Sequence, residues 1–207
     1  VEACRQADAE VDFSLYDDDG DGEVDNVFVF VAGLSEAEDA GENYIWPHQW
    51  SVEEAGIRLS IDGKKINSYA IATEQCRDEN WNWGFATIGT FCHEYSHTLG
   101  LMDHYDTDES DSGGEADCMW GTTDLMDHGN YNNSGKTPPN YNAPELELFG
   151  IGTQEYLETG NYSLSPVGAE KRYLRMDTDK PGEYFLFECR EASGWDKYIG
   201  GSGMLIY

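Results

Sequence analysis

The sequence is poor in basic residues. It has 12 lysines and arginines against 41 aspartates and glutamates, which gives a net charge of −29 with neutral histidines. A field of this sign repels nucleic acids and anionic membrane surfaces, so the composition excludes both as partners. It attracts cations, which fits either a solvated acidic surface or divalent-metal sites at particular acidic clusters.

Long apolar runs are also missing. No stretch approaches the roughly 18 apolar residues of a membrane-spanning helix, so we expect no membrane insertion here. The hydrophobic fraction of 39% and the aromatic fraction of 13% argue against disorder. We expect one domain over the 207 residues. Val1 is not a start methionine and Tyr207 interrupts a strand-like run, so we expect a fragment of a longer precursor.

Cysteine is sparse and lacks a metal or disulfide spacing. The five cysteines contain no C-x-x-C pair, which argues against a zinc ribbon and a dense disulfide framework. An odd count leaves at least one thiol unpaired in a monomer, and the pairing stays open. Cys92 precedes His93 and is of a metal-binding type, but we expect a small buried core residue there. The five are Cys4, Cys76, Cys92, Cys118 and Cys189.

The most informative stretch is FCHEYSHTLGLMDHYDTD, residues 91–108. In a helix, His93 and His97 lie one turn apart on the same face, which lets two imidazoles bind one Zn²⁺. Glu94 lies about 100° round the helix from His93. It can therefore hold a metal-activated water without becoming a ligand itself.

The third ligand must come from beyond this helix. In a continued helix, residue 103 would lie about 15 Å along the axis from His93, far beyond a zinc–ligand bond of about 2 Å. Gly100 can adopt the left-handed conformation that ends a helix, and Asp103 can then return as an oxygen ligand. The pattern H-E-x-x-H-x-x-G-x-x-D is complete. His104 is a rival third ligand, but it lies one position past the motif offset.

A second candidate metal site precedes the zinc motif, in SLYDDDGDGEVD. Phe28 stands where an EF-hand has its glutamate, and a strand-like run follows, so this is not an EF-hand. Close carboxylates repel by about 1 kcal/mol per pair even in water, and a bound Ca²⁺ would relieve that repulsion. Against the alternative of a solvated turn, the candidate calcium ligands are Asp17, Asp19, Asp21, Glu23 and Asp25.

Hydrophobic patterning predicts short elements around these motifs. We predict helices over 1–12 and 143–149, and strands over 26–32, 57–61, 66–73, 162–167, 172–177, 183–188 and 203–207. The turn DGKK indicates a hairpin between the second and third of these strands. His48, in YIWPHQW, is expected to be packed or hydrogen-bonded. The acidic segment 103–117 is either a solvated loop, which we favour, or a further cation site.

The extended zinc motif and a methionine, Met126 in DLMDHGNY, resemble the metzincin peptidases, which carry a methionine turn beneath the zinc site. With aspartate as third ligand and CMWGTTDLMDHGNYNNSGKTPP around the methionine, the chain resembles the immune-inhibitor-A-like secreted metalloproteases. Four other stretches are similar to that family: YDDDGDGEVDNVFVFVAG, YIWPHQW, EYFLFECREASGWD and GSGMLIY. The resemblance covers almost the whole chain.

This resemblance implies an α+β, metzincin-like catalytic domain: a twisted mixed sheet, a zinc-binding helix and a lower subdomain with the methionine turn. The upper part would span about 1–100 and the lower part about 101–207. The resemblance also implies an edge strand at Ser68–Thr73 that binds extended substrate. Where some relatives carry a tyrosine two residues after the methionine, this chain has His128, a candidate transition-state stabiliser. Tyr131 is a weaker alternative.

The prediction is therefore a secreted or cell-surface zinc endopeptidase, monomeric, that acts on extracellular proteins or peptides. Zn²⁺ on His93, His97 and Asp103 would acidify a water and polarise the scissile carbonyl. Glu94 would serve as general base and then protonate the leaving amine. Two alternatives remain: an inactive calcium-dependent binding module on the same scaffold, which the intact Glu94 argues against, and a metal-assisted hydrolase of esters or small amides.

Overall fold

The computed structural model describes residues 1–107 and 119–207. These residues form two compact units, Val1–Gly100 and Leu101–Tyr207, and helices and small sheets occur in both, which confirms the α+β class. Cys118 and most of the acidic segment predicted over 103–117 lie outside the described residues. Among the helices of the described residues, none has the length and apolar character that crossing a membrane requires.

The first unit is built on a three-stranded sheet with β5 (Ser68–Thr73) at its centre. The strand β1 (Val27–Val31) runs parallel to β5 on one side, and β2 (His48–Ser51) runs antiparallel to it on the other. Its core lies around Phe13, Val24 and Ile66. The elements of this unit are α1 (Glu2–Ala7), β1 (Val27–Val31), β2 (His48–Ser51), β3 (Ser60–Ile61), β4 (Lys64–Lys65), β5 (Ser68–Thr73), β6 (Gln75–Arg77), β7 (Trp83–Phe85) and α2 (Ile88–Thr98).

The strand β5 is central in this sheet, so the expectation that Ser68–Thr73 is an edge strand is wrong. Both of its sides are paired, one with β1 and the other with β2. Ala70 and Ala72 are fully buried, as suits small side chains on a strand enclosed by two neighbours and by α2, which packs on it. An alternating pattern reports which face of a strand is buried, and it carries no information on how many partners the strand has.

Two hairpins flank this sheet. The hairpin predicted at DGKK is present, but its turn is the pair Asp62-Gly63, both with positive φ, as tight hairpin turns require. Lys64–Lys65 form its second strand, β4, in place of the predicted strand 66–73. The strands β6 and β7 form a second hairpin that pattern analysis missed. His48 is hydrogen-bonded, as predicted: its Nδ1 lies 2.7 Å from the Trp46 oxygen and its Nε2 lies 3.2 Å from the Tyr69 hydroxyl.

Aromatic packing fixes the orientation of α2. The ring of Phe91 packs against Phe28 of β1 with 4.5 Å between centroids, and it stacks on Tyr95, one helical turn later, at 5.8 Å. The helix ends at Thr98, and Gly100 has a φ of +101°, which confirms the predicted reversal at this glycine. One face of α2 is thus attached to the sheet by aromatic rings, and the histidines of the motif occupy another.

The second unit contains a four-stranded sheet, whose strands lie in the order β11 (Gly203–Ile206), β10 (Tyr184–Arg190), β9 (Arg172–Asp177) and β8 (Thr153–Tyr156). The helices α4 (Ala143–Phe149) and α5 (Val167–Glu170) pack on β10, and together they bury Leu146, Val167 and Leu186. The elements of this unit are α3 (Asn132–Gly135), α4 (Ala143–Phe149), β8 (Thr153–Tyr156), α5 (Val167–Glu170), β9 (Arg172–Asp177), β10 (Tyr184–Arg190) and β11 (Gly203–Ile206).

The helix α4 and the strand β9 have the bounds that patterning predicts. The reason for α4 is local: Asn142 and Glu145 form a capping box at its start, and Gly150 ends it with a φ of +63°. The strand predicted over 162–167 is wrong. In the described chain, residues 161–165 form neither helix nor strand, and α5 begins after Pro166, whose missing N–H disfavours a continuous strand ladder.

We predict that Gly129→Ala destabilises the second unit. A Cβ at this position would lie 2.2 Å from the backbone oxygen of Asp124 and 2.7 Å from Cγ of Pro139. The backbone must therefore move, and overpacking of this kind costs about 1–3 kcal/mol. Chemical denaturation should show a lower midpoint for this variant. Gly203→Ala is the matched control because its Cβ would meet no described atom within 4 Å; equal midpoints would contradict the prediction.

Candidate metal centre and active site

The helix α2 brings the two histidines of the motif together. The rings of His93 and His97 have centroids 4.8 Å apart and are perpendicular. Because the two residues are four positions apart, one helical turn places both on one face. His93 and Glu94 are both buried, with 5% and 7% of their surface exposed. A glutamate held this far from bulk water is suited to exchange protons with a molecule bound in the site.

Asp103 joins the two histidines after the reversal at Gly100. One carboxylate oxygen of Asp103 and one ring nitrogen of each histidine lie within 4.8 Å of one another. Two ligands of a tetrahedral zinc ion with bonds of about 2 Å lie about 3.3 Å apart. Small side-chain rotations therefore suffice for the three atoms to share one ion. Two imidazoles and one carboxylate form a donor set that suits zinc.

His104, the rival third ligand, belongs to a different cluster. Its Nδ1 lies 2.9 Å from Oδ2 of Asp124. The same Oδ2 accepts a hydrogen bond from the side-chain amide of Asn142, at 2.6 Å. Ligand atoms of His104, Asp124 and Glu145 lie within 4.8 Å of one another. We name these four residues the Asp124 cluster: His104, Asp124, Asn142 and Glu145.

The methionine of the predicted turn is completely buried. Its amide donates to Oδ1 of Asp124 at 2.7 Å, and its carbonyl accepts from the amide of His104 at 2.9 Å. On the far side of Met126, Asp127 accepts from the amides of Trp120 and Gly121. Two buried aspartates therefore fix the backbone on either side of Met126.

His128 follows this turn and is exposed. Its amide donates to Oδ1 of Asp127 at 2.8 Å, which fixes its backbone. Among the described residues, its ring belongs to none of the groups that could hold a metal ion. Tyr131 is also exposed, at 53%. The transition-state role of His128 stays a prediction.

The acidic loop brings together three of its five candidate ligands. Carboxylate oxygens of Asp17, Asp19 and Asp21 lie within 4.8 Å of one another. The Asp17 side chain is 1% exposed; its Oδ2 accepts from the Lys64 ammonium, and Oδ1 is buried without a hydrogen-bond partner among the described residues. The lysine lowers the pKa of the Asp17 carboxyl. The structure leaves the other two candidates outside this group.

Those two candidates have other contacts. Glu23 forms an ion pair with Lys65 at 3.0 Å, and the same lysine contacts Glu53 at 2.9 Å. Asp25 accepts a hydrogen bond from the amide of Asp18 at 3.0 Å. Both carboxylates therefore stabilise the loop from its C-terminal end.

The cysteines contribute no described metal ligand. Within the described residues, Cys4, Cys92 and Cys189 form no disulfide and belong to none of the candidate metal groups. Cys92 is half-buried rather than buried, and its burial raises the pKa of the thiol.

Comparison with known proteins identifies the family. Residues 6–148 match the family described as immune inhibitor A peptidase M6, catalytic domain. The chain therefore belongs to the immune inhibitor A peptidase M6 family. Immune inhibitor A of Bacillus thuringiensis subsp. alesti is 28% identical over 160 residues, which are 66% of this chain and 21% of the relative. The chain thus spans about a fifth of that relative's length. Family membership supports a metallopeptidase.

In this M6 peptidase domain, sequence reasoning missed most of the Asp124 cluster. The signal for Asn142 and Glu145 was readable, because N-x-x-E before an apolar run is a capping pattern. The signal for Asp124 was only its place two residues before Met126. Nothing local indicates that a capping box would contact an aspartate 18 residues earlier, at 2.6 Å.

Glu145 gives the M6 domain a pH-dependent element. Burial, followed by the negative charge of Asp124, raises the pKa of the Glu145 carboxyl well above its ordinary value of 4.5. The folded chain therefore keeps this proton to a higher pH than the unfolded chain does. Stability from this group is present at low pH and is lost as the pH rises from the unfolded pKa to the folded pKa.

We predict that Glu145→Gln gains stability relative to the wild type as the pH rises. The glutamine side-chain oxygen can still accept a hydrogen bond from the backbone amide of Asn142. Glutamine does not ionise, so it never places a second negative charge beside Asp124. The difference in the free energy of unfolding between variant and wild type should increase as the pH rises above 4.5, the ordinary pKa of this carboxyl group. The exposed Glu158→Gln is the control, with a flat difference. A flat difference for Glu145→Gln would show that burial does not perturb its ionisation.

Proposed function

We propose that this chain is the catalytic domain of a zinc-dependent endopeptidase of metzincin type, secreted and acting on extracellular proteins or peptides as a monomer. The observation that carries the proposal is the convergence of His93, His97 and Asp103, with buried Glu94 adjacent on the same helix. The methionine turn, tied by hydrogen bonds to the segment that follows Asp103, supports the metzincin assignment.

The three converging residues would hold the metal. The imidazoles of His93 and His97 would bind as neutral ligands, and the Asp103 carboxylate would offset one unit of the ion's positive charge. When bound, Zn²⁺ supplies a Lewis acid that lowers the pKa of water and polarises a peptide carbonyl. The helix α2 sets the direction of both imidazoles, and the reversal at Gly100 returns the carboxylate to them.

Glu94 would move the protons. Its carboxylate takes a proton from the water as the oxygen attacks the scissile carbonyl carbon. As the C–N bond breaks, the same carboxyl group returns that proton to the leaving amine, so Glu94 ends the cycle ionised. Its burial removes competing bulk water, which strengthens its electrostatic effect on the reacting atoms.

The edge strand β2 is the candidate for binding extended substrate, in place of Ser68–Thr73. Among the described residues no strand pairs with its outer side, and α2 packs against it within the first unit. A peptide added there would satisfy its backbone hydrogen bonds whatever its sequence, which suits an enzyme of broad substrate range. The imidazole of His128 is exposed, and we propose it as a donor to the carbonyl oxygen that becomes negatively charged.

We predict that Glu94→Gln abolishes most peptidase activity without removing zinc. Loss of a general base costs about 10²–10⁴ in rate, so kcat/KM on casein or a mixed peptide library should fall by that factor. Elemental analysis should still find one zinc per chain. The exposed Glu10→Gln is the matched control in the same unit. Equal cleavage by Glu94→Gln and wild type would refute the enzyme mechanism.

Metal removal tests the cofactor separately. Chelation should abolish activity, and added zinc should restore it. A screen of esters and small amides alongside peptides tests the alternative of a non-peptide hydrolase. A zinc-bound chain that cleaves only esters would refute the endopeptidase and keep the metal site.

We propose in addition that Asp17, Asp19 and Asp21 bind Ca²⁺, which would stabilise the loop. The fully buried Asp17 oxygen without a hydrogen-bond partner among the described residues supports this, since a buried carboxylate oxygen needs a donor or a cation. Glu23 and Asp25 would support the loop from outside this group.

We predict that calcium raises the melting temperature of the wild type and that Asp21→Asn reduces the effect. At a calcium concentration 100 times the Kd, one site adds about 2.7 kcal/mol. Asparagine retains the acceptor for the Glu23 amide and loses the charge. Asp39→Asn, an exposed site elsewhere in the unit, should behave as the wild type. A calcium response that is the same in all three proteins would place the cation elsewhere.

A further inference from the structure

We propose that Asp124 is a positioning residue for the third metal ligand, and that it acts on Asp103 through the side chain of His104. The inference rests on the proposed function, because Asp103 must first be a ligand. Asp124 is fully buried, and both of its carboxylate oxygens accept hydrogen bonds. Oδ1 accepts from the Met126 amide at 2.7 Å, and Oδ2 lies 2.6 Å from the Asn142 amide nitrogen and 2.9 Å from the ring of His104.

Asp103 needs such support more than the two histidines do. His93 and His97 are held by the hydrogen bonds of α2, whereas residues 101–104, which the structure describes, form neither helix nor strand. The order of this segment must therefore come from side chains and single backbone bonds. His104, which is adjacent to Asp103, makes three contacts of this kind.

His104 is held at three points. Its ring nitrogen contacts Asp124, its amide donates to the Met126 carbonyl at 2.9 Å, and its ring lies edge-on to Trp120 with centroids 4.8 Å apart. Adjacent Cα atoms are about 3.8 Å apart, so these contacts also restrict the backbone of Asp103. Asp124 accepts from the amide of Met126 and contacts the ring of His104. One carboxylate therefore fixes both the methionine turn and the segment that carries Asp103.

Asp124 is itself anchored in the second unit. The side-chain amide of Asn142 donates to it, and the carbonyl oxygen of the same side chain caps α4 by accepting from the Glu145 amide at 3.0 Å. The next amide, that of Ala143, donates to the buried carboxylate of Glu188 on β10 at 2.7 Å. The position of Asp124 is therefore set by a helix terminus and a strand rather than by a loop.

The hydrogen-bond pattern favours this role over a second metal site in the Asp124 cluster. His104, Asp124 and Glu145 have donor types that could hold an ion. However, Oδ2 of Asp124 already accepts a hydrogen bond from the side-chain amide of Asn142, and Oδ1 accepts one from the backbone amide of Met126. A cation bound to either oxygen would face these N–H groups, whose dipoles point their positive ends at it.

The test is zinc affinity, measured by competition with a chromophoric chelator, together with kcat and KM determined separately. In Asp124→Asn, one side-chain nitrogen replaces an oxygen, so donors from His104, Met126 and Asn142 compete for a single acceptor. Loss of a partner that a metal ligand contacts directly costs about 10–100-fold in affinity. Asp124 contacts His104, the neighbour of the ligand, so we expect zinc binding to weaken by about 10-fold, the lower end of that range, and kcat to fall, with KM little changed.

Asp196→Asn is the matched control. Asp196 is another buried aspartate of the second unit, and it accepts from Arg190 and from the Asn140 amide. This variant should lower the melting temperature and keep the zinc affinity of the wild type. An equal loss of zinc affinity in both variants would mean that general destabilisation is responsible, and it would overturn the proposal. So would wild-type zinc affinity in folded Asp124→Asn.

If Asp124→Asn does not fold, a pair at position 104 decides the question. His104→Gln keeps an N–H donor for Asp124, whereas His104→Phe keeps the aromatic contact with Trp120 and loses the donor. Weak zinc binding in the phenylalanine variant alone supports the proposal, and equal affinities in both overturn it. A wild-type chain that binds no zinc overturns the proposed function and this inference together, which distinguishes that failure from the others.

Discussion

Three donor atoms must converge on one point, although the helix that carries two of them cannot carry the third. A helix rises about 1.5 Å per residue, so a ligand ten residues after His93 requires the chain to turn back. The positive φ of Gly100 provides that reversal, and Asp103 then reaches the two histidines. The rest of the candidate site depends on this change of direction. It places the third ligand in a loop, where the hydrogen bonds of the helix no longer fix the backbone.

Buried carboxylates supply that order in the second unit. Among the described residues most acidic side chains are not buried, but several are enclosed and act as acceptors for backbone amides. Asp124 and Asp127 flank Met126, Glu145 caps α4, and Glu188 accepts from the amide that begins the same helix. Burial of such groups is costly unless each is hydrogen-bonded or neutralised. Here amides satisfy most of them, Arg190 pairs with Glu188, and Glu145 has a raised pKa.

The sequence predicts those parts of the fold that local chemistry determines. The helix Ala143–Phe149 has its capping box and terminal glycine, the hairpin turn has its Asp-Gly pair, and Arg172–Asp177 alternates as a strand should. The sequence does not predict which strands are neighbours: β5 is central rather than at an edge of its sheet. The strand β8 was missed because its residues are polar and half-exposed. Such features depend on contacts between residues far apart in the chain.

The candidate site divides in the same way. His93, Glu94 and His97 follow from helical spacing, and Asp103 follows from the offset after a glycine. The contact between His104 and Asp124 cannot be predicted from local spacing, because Asp124 lies 20 residues further along the chain. The calcium loop is intermediate: its aspartates could be read from the sequence, whereas the contact between Asp17 and Lys64 required the fold.

That lysine gives the acidic loop an internal counterion. Lys64 lies on the two-residue strand β4, next to a tight turn, and its ammonium contacts Asp17, the most buried of the three clustered carboxylates. Positive charge is therefore present at the loop without any dissolved ion. A divalent cation at the buried Oδ1 of Asp17 would join this tethered ammonium, which contacts the other oxygen of the same carboxylate. The loop should consequently keep its shape when calcium is scarce, and occupancy would alter its rigidity more than its conformation.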